Sequence, residues 1–380
     1  MTPTPSRTVR AATLVAPETL ELREYPYPAV HGGGPDGRGG GVLRVELCAL
    51  CGTDYSVFRG EYARPGAVPG PLVPGHEVVG IIEDAVPRAL ECWGVAIGDR
   101  VVVEPNIGCG VCGPCATGQY VSCAAPHPMA HGFIAACEAP GLWGGYAEVM
   151  YLSPRSIVHA VPAAVDSARA SLCNVVANGF EWVCNLPGLR YGQSVLVLGA
   201  GQRGLAAVAA ARASGAGTVI ATGLSRDSAR LAAAMELGAD ATIEADSADV
   251  VEAVRELTGG AMVDVALDCT PGATRPVIDA VRSVAVGGTV VLSGLKHGRR
   301  AEGLPVDEVV GRRISIIGAL SSGYRAYRQA LAFLGSPLGA QLAGLRTHEL
   351  ALGDVERALR ILGGEQPDEH AVYVSLAPGR

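Results

Sequence analysis

The stretch Ser194–Gly204, SVLVLGAGQRG, decides the fold of this chain. Its apolar run ends at Leu198 and is typical of a short buried strand, and an Ala-rich helical pattern follows it. A G-x-G-x-x-G sequence between a strand and a helix lets backbone N–H groups approach a phosphate closely. We therefore expect a dinucleotide pyrophosphate to bind at Gly199, Gly201, Gln202, Arg203 and Gly204.

Strands and helices continue to alternate after this stretch. Helical patterns at 226–237 and 247–257 are interspersed with short apolar runs, which lie at 218–221, 241–243, 263–267, 288–292 and 314–317. Such βαβ repetition predicts an α/β fold with a doubly wound parallel sheet.

The first third of the chain has a different pattern. Apolar and polar residues alternate in 8–30 and 42–47, and apolar runs occur at 78–82 and 101–103. Together these segments predict an all-β region. The Gly-rich segment 31–41 predicts a loop between two of its strands.

Composition excludes several classes of protein. The 380 residues are 49% hydrophobic and 18% charged, which suits two domains with large cores and excludes a disordered chain. The net charge is −7 and basic residues occur at most in pairs, so we expect no nucleic-acid partner. The first thirty residues lack the apolar core of a secretory signal, and no apolar run is long and uncharged enough to span a membrane. We expect a cytoplasmic protein without a membrane partner.

Four of the 11 cysteines are clustered. Cys109, Cys112, Cys115 and Cys123 form C-x2-C-x2-C-x7-C among several glycines. Four thiolates suit a closed tetrahedral zinc site with a structural role. Four unpaired cysteines and an iron–sulfur cluster are the alternatives.

Two shorter stretches combine side chains that can bind a metal or transfer a proton. Cys51-Gly52-Thr53-Asp54 supplies a thiolate, a hydroxyl and a carboxylate, and Gly75-His76-Glu77 supplies an imidazole and a second carboxylate. This residue set indicates a catalytic zinc site that lacks part of its ligand set.

With these motifs in hand, the chain resembles the zinc-containing medium-chain alcohol and polyol dehydrogenases. The resemblance covers nearly the whole length and includes Gly144-Gly145-Tyr146-Ala147-Glu148. It implies a GroES-like β domain that carries both zinc sites, formed by 1–165 and 321–380. It also implies that a Rossmann coenzyme-binding domain, 166–320, is inserted into this domain.

The same resemblance implies roles for individual residues. Cys51 and His76 would be zinc ligands, Thr53 would accept the alcohol proton, and Glu77 would lie just behind the metal. Asp54 would orient His76, because a zinc-bound imidazole needs its second nitrogen held. The alternative for Asp54 is an ordinary turn residue after Gly52.

The third zinc ligand departs from the family pattern. The family has a Cys, Glu or Asp where this chain has Asn174, and a neutral amide is a poorer zinc ligand. Cys173 would replace it if the alignment shifts by one residue, although an ordinary buried cysteine is the alternative there. Glu77 or water could also complete the shell.

Coenzyme preference depends on the end of the second Rossmann strand. NAD-binding sites have an acidic residue there, whereas this chain has Gly223. The residues that follow, Ser225, Arg226 and Arg230, could bind a 2′-phosphate, although Asp227 opposes one. The alternative for Arg226 is a solvated residue at the start of a helix. We favour NADP over NAD.

These observations predict an NAD(P)-dependent, zinc-assisted enzyme that interconverts a small-molecule alcohol, either a secondary alcohol or a polyol or sugar-like one, and its carbonyl. By the resemblance it would be a homo-dimer or tetramer. Two alternatives remain: a quinone or enone reductase of the same fold without catalytic zinc, and a non-catalytic dinucleotide-binding protein.

Overall fold

The computed structural model describes residues 7–30, 39–61, 70–125, 129–366, 369 and 371–380. Most of the predicted Gly-rich loop, 31–38, therefore lies outside the described residues. The chain divides into two compact units, one formed by Met1–Cys173 with Ala343–Arg380 and the other by Asn174–Leu342. The resemblance described above predicts these boundaries at 165/166 and 320/321.

Most elements of the first unit come before those of the second unit in the sequence. They are β1 (Thr8–Ala16), β2 (Thr19–Pro26), β3 (Gly41–Leu50), α1 (Gly52–Phe58), β4 (Glu77–Ala85), α2 (Pro87–Trp93), β5 (Arg100–Val103), β6 (Asn106–Ile107), α3 (Gly113–Ala116), β7 (Met129–Ala130), β8 (Val149–Leu152), β9 (Val158–Ala160) and α4 (Ser167–Ala170).

The second unit begins within a helix. Its elements are α5 (Cys173–Gly179), a π-helical turn (Phe180–Asn185), β10 (Ser194–Leu198), α6 (Gln202–Ala213), β11 (Thr218–Gly223), α7 (Ser228–Glu236), β12 (Ala241–Glu244), α8 (Val250–Leu257), β13 (Val263–Asp268), α9 (Arg275–Ser283), β14 (Val284–Leu292), α10 (Val306–Gly311), β15 (Ser315–Gly318), α11 (Tyr324–Leu334) and α12 (Pro337–Ala343). The chain then returns to the first unit with β16 (Arg346–Ala351), α13 (Val355–Leu362) and β17 (Tyr373–Ala377).

The first unit is built on a mainly antiparallel sheet. Its strand order is β16-β17-β3-β4-β5-β9, and β8 pairs with β3. The inner side chains of these strands form a continuous apolar core that includes Leu43, Ile82 and Val101. The all-β region predicted from sequence is confirmed.

The second unit is a six-stranded parallel sheet in the order β12-β11-β10-β13-β14-β15. The strand order reverses between β10 and β13, which is the doubly wound arrangement. Buried Leu196, Ile220 and Ala266 form its core. The prediction of a GroES-like β domain with a Rossmann domain is confirmed.

Local chemistry decides where individual elements begin. The helix predicted at 247–257 starts at Val250, because the Asp249 carboxylate accepts the N–H groups of Val251 and Glu252 at 2.9 and 3.1 Å.

Among the described residues, no helix has both the length and the apolar character needed to cross a bilayer.

Candidate active site

Helix α1 positions the first group of candidate residues. Cys51 follows β3 and is the N-cap of α1, with Thr53 and Asp54 in the first turn. The Asp54 carboxylate accepts the N–H of Cys51 at 2.9 Å, which satisfies a donor that the helix leaves free. The Cys51 thiol is thereby held at the carboxyl end of a central strand.

His76 and Glu77 lie where β4 begins. Gly75 precedes them with φ +95°, and a Cβ at this position would lie 2.5 Å from the Tyr146 ring and 2.8 Å from Cys48 Sγ. Only glycine combines this backbone conformation with such close packing. The approach to His76 is therefore set by a glycine enclosed by the core.

The structure brings Cys51, His76 and Glu77 together. Cys51 Sγ lies 3.3 Å from His76 Nε2, and Glu77 Oε1 lies 4.0 Å from the same nitrogen. A sulfur and a nitrogen on one tetrahedral zinc lie about 3.6 Å apart. All three residues are buried, and their ligand atoms lie within 4.8 Å of one another. This donor set fits a zinc ion.

The far nitrogen of His76 faces a carboxylate. Nδ1 lies 3.3 Å from Asp54 Oδ1. Burial lowers the pKa of His76, but the charges of Asp54 and Cys51 outweigh burial and raise it well above its usual value. Zinc binds the neutral imidazole, so zinc binding competes with protonation of His76.

Two other buried thiols lie near these residues. Burial raises the pKa of Cys48 and of Cys173 well above the usual range, so both favour the thiol form. Sequence reasoning did not single out Cys48, although its spacing from Cys51, C-x-x-C, was a signal. A thiol is a weaker zinc ligand than a thiolate.

Asn174 takes part in hydrogen bonds with other side chains of the second unit. Its Nδ2 donates to the Tyr327 hydroxyl at 2.6 Å, and its Oδ1 accepts from Asn178 Nδ2 at 3.1 Å. All three residues are buried. The amide therefore has partners of its own, and its role as a ligand stays a prediction.

The four cysteines of the predicted structural site also converge. Cys109 Sγ lies 3.9 Å from Cys115 Sγ, and Cys112 Sγ lies 4.0 Å from Cys123 Sγ. Sulfurs on one tetrahedral zinc lie about 3.8 Å apart, whereas a disulfide needs about 2.05 Å. The N–H groups of Val111 and Cys112 lower the pKa of Cys109 to about 6, which favours the thiolate. This set also fits zinc.

A buried polar network that sequence reasoning missed anchors this lobe to the sheet. Tyr120, between the last two cysteines, donates to Glu104 Oε2 at 2.6 Å, and His159 Nε2 lies 2.7 Å from Glu104 Oε1. Glu104 is fully buried, and burial raises its pKa. The lobe is thus joined to β5 and β9 through one carboxylate.

The glycine fingerprint has the geometry that its sequence predicts. Gly199 has φ +105°, and a Cβ at Gly204 would lie 1.8 Å from the Gly199 carbonyl oxygen. A Cβ at Gly201, the N-cap of α6, would meet nothing within 4 Å. Two glycines are therefore required by packing, and the third leaves open space in front of the helix N-terminus. This shape fits a pyrophosphate.

The region after β11 contains carboxylates as well as arginines. Ser225 donates its N–H to Asp246 Oδ1 at 2.8 Å, and its hydroxyl lies 3.0 Å from Glu244 Oε2. Arg226 is exposed, and Arg230 lies 3.5 Å from Asp227. Sequence reasoning missed the two carboxylates that contact Ser225, since they lie at the end of the next strand along the chain and just after it.

Comparisons with known proteins agree with this arrangement. Residues 37–163 match the alcohol dehydrogenase GroES-like domain, and residues 204–336 match the zinc-binding dehydrogenase family. A probable alcohol dehydrogenase of Mycobacterium tuberculosis is 40% identical over 374 residues, covering 97% of this chain and 98% of the relative.

Two solved structures share the fold over almost the full length. An alcohol dehydrogenase of Thermotoga maritima has a TM-score of 0.86 at 25% identity, covering 98% of this chain and 100% of that one. A putative zinc-binding dehydrogenase of Sinorhizobium meliloti, bound to NADP, has a TM-score of 0.80 at 26% identity with the same coverage. The site geometry and these likenesses together lead to one conclusion: the chain belongs to the zinc-containing medium-chain alcohol and polyol dehydrogenases and is an alcohol oxidoreductase.

Proposed function

We propose that this protein is a zinc-assisted, NAD(P)-dependent oxidoreductase that interconverts an alcohol and its carbonyl compound by hydride transfer. The substrate class is a secondary alcohol or a polyol or sugar-like alcohol. The observation that carries the proposal is the buried cluster of Cys51, His76 and Glu77, with a thiol, an imidazole and a carboxylate within 4.8 Å of one another.

Each residue of the site has a separate role. Cys51, His76 and Glu77 hold the metal, and Asp54 holds the orientation of the His76 ring. When bound, zinc would stabilise negative charge on the substrate oxygen and the nicotinamide would accept the hydride. Thr53, in the first turn of α1, accepts the alcohol proton and passes it towards solvent.

Glu77 is our candidate for the third protein ligand. Its carboxylate belongs to the described cluster, whereas the amide of Asn174 already has two hydrogen-bond partners. A carboxylate is also the better zinc ligand of the two. Asn174 remains the alternative that the alignment with the family suggests.

For the coenzyme we favour NADP(H) over NAD(H). The glycine at 223 removes the carboxylate that would repel a 2′-phosphate, and Arg226 lies beyond it, exposed. The Sinorhizobium meliloti relative bound to NADP supports the same preference. The carboxylates of Glu244 and Asp246 act against it, so we expect a modest preference.

We further infer a homo-dimer or tetramer in the cytoplasm. None of the eleven cysteines forms a disulfide, which suits a reducing compartment. Apolar side chains are exposed on α10, at Val306 and Val310, and on β15, at Ile316, which supports self-association.

Metal analysis combined with a coenzyme-consumption screen over alcohols and carbonyl compounds tests the proposal. We expect two zincs per chain, one of which a chelator removes together with activity. Cys51→Ser or His76→Ala should lose that zinc and abolish turnover in a folded protein, whereas Cys92→Ser, an exposed cysteine on α2, should behave as wild type. A single tightly held zinc with no oxidoreductase activity would overturn the proposal.

A further inference from the structure

Lys296 is the only lysine in the sequence, and it is largely enclosed. It follows β14, and its side chain is 16% exposed. Its ammonium nitrogen lies 2.6 Å from Asp268 Oδ2, and the Asp268 side chain is fully buried at the end of β13. A buried ion pair is costly unless its remaining hydrogen-bonding groups are satisfied.

Within the part of the chain that the structure describes, the ammonium group also contacts Thr270 at two atoms. Nζ donates to the Thr270 carbonyl oxygen at 2.6 Å and lies 3.2 Å from Thr270 Oγ1. The ammonium group therefore has two hydrogen-bond acceptors on Thr270 and an ion-pair contact with Asp268. Asp268 Oδ1 in turn accepts the N–H and the hydroxyl of Thr270, at 2.9 and 2.6 Å. The turn after β13 is therefore held by hydrogen bonds of Thr270 with both Lys296 and Asp268.

This turn lies beside the glycine fingerprint. Asp268 is paired with Leu198, the last residue of β10, in the sheet register. A Cβ at Gly199 would lie 3.0 Å from Thr270 Cγ2, so Thr270 packs against the first glycine of the fingerprint. The strand order reverses between β10 and β13, and open α/β sheets bind their ligands outside the carboxyl ends of the strands at that point.

We propose that Lys296 is a positioning residue for the coenzyme: it fixes the turn at Thr270 in the shape that borders the dinucleotide crevice. This inference rests on the proposed function, because it assumes that the crevice binds NAD(P). In a purely structural role, Lys296 would only neutralise Asp268, and the pair could be replaced by two neutral residues without effect on binding. The two roles therefore differ in a measurable way.

The decisive variant is Lys296→Met combined with Asp268→Asn, which removes both charges at once. We expect its NADPH dissociation constant, measured by fluorescence titration of the full chain, to rise at least tenfold, because the ammonium contacts to Thr270 are lost. Arg300→Met is the matched control, since it removes an exposed cation from the same segment, and it should bind as wild type.

Thr270→Val tests the same link with a change of almost equal volume. It removes the hydroxyl that contacts both Lys296 and Asp268, and we expect NADPH to bind at least threefold more weakly to protein that urea unfolding shows to be fully folded at the assay temperature. Wild-type affinity in Thr270→Val, or in a folded double variant, would overturn the inference. A wild-type protein that binds neither NADPH nor NADH would instead overturn the proposed function.

Discussion

Asp54 Oδ1 lies 3.3 Å from Nδ1 of His76, while the other oxygen of the same carboxylate accepts the N–H of Cys51. One buried side chain thus caps a helix and faces the imidazole of the candidate metal site. The two interpretations of Asp54 that the sequence left open, turn residue and partner of His76, are compatible in the structure.

Asp54→Asn should lower the affinity of the removable zinc by about 10–100-fold, because the amide holds the His76 ring less well than a carboxylate. Zinc titration against a competing chelator measures this effect. Asp99→Asn is the matched control: Asp99 accepts the N–H of Ala96, three residues earlier, as Asp54 does with Cys51. Equal zinc affinity in Asp54→Asn and wild type would contradict the role in orienting His76.

Glu77→Gln should lower zinc occupancy of the same site about 10–100-fold, whereas Asn174→Ala should leave it unchanged. The reason is that Glu77 is in the ligand cluster, and the amide of Asn174 is bonded to Asn178 and Tyr327. Metal content after dialysis at controlled free zinc distinguishes the two. Loss of zinc in Asn174→Ala alone would identify Asn174 as the ligand.

His131 should make the protein less stable in mild acid. It is fully buried, Nδ1 lies 3.3 Å from the Trp143 carbonyl oxygen, and burial lowers the pKa of His131 to about 4. Between pH 6.5 and about 4, His131 binds a proton in the unfolded chain but stays neutral in the folded chain. The free energy of unfolding should therefore fall as pH falls through this window, by about 3 kcal/mol from this residue.

Urea unfolding of His131→Gln at pH 7, 5.5 and 4.5 measures this contribution, since glutamine does not titrate. The variant should lose less stability than wild type over this range. His348→Gln, on a half-buried histidine paired with Glu369, is the control for histidine removal. Parallel pH profiles for His131→Gln and wild type would refute the prediction.

Gly223→Asp should shift coenzyme preference towards NAD, because a carboxylate at the end of β11 repels a 2′-phosphate. We expect at least a tenfold change in the ratio of kcat/KM for NADP and NAD. A Cβ here would lie 3.0 Å from Leu231 Cδ2, so Gly223→Asn serves to separate crowding from charge. An equal ratio in Gly223→Asp and Gly223→Asn would contradict the electrostatic explanation.

The sequence predicted the parallel sheet well because its central strands β10, β11 and β13 are buried on both faces and appear as continuous apolar runs. It did not predict β16, whose residues include Arg346, His348 and Glu349 and are mostly half-buried. What makes this segment a strand is its backbone pairing with β17. Backbone pairing leaves no apolar pattern in the sequence.

The same reasoning applies to the site. Cys51 and His76 were predictable because each lies in a short motif. The Glu104–His159 pair was not, since it depends on the register that sets His159 opposite Val102 in neighbouring strands. The contact between Lys296 and Asp268 likewise requires the parallel pairing of β13 with β14.

The rarity of lysine has a consequence for an alcohol oxidoreductase, because oxidation of an alcohol gives an aldehyde or a ketone. Aldehydes and ketones condense with primary amines, whereas the guanidinium group of arginine remains protonated and is far less nucleophilic. Every cationic side chain except Lys296 is an arginine or a histidine, and the one ε-amine is largely enclosed by its acceptors. The surface therefore offers a carbonyl compound almost no side-chain amine with which to form a Schiff base.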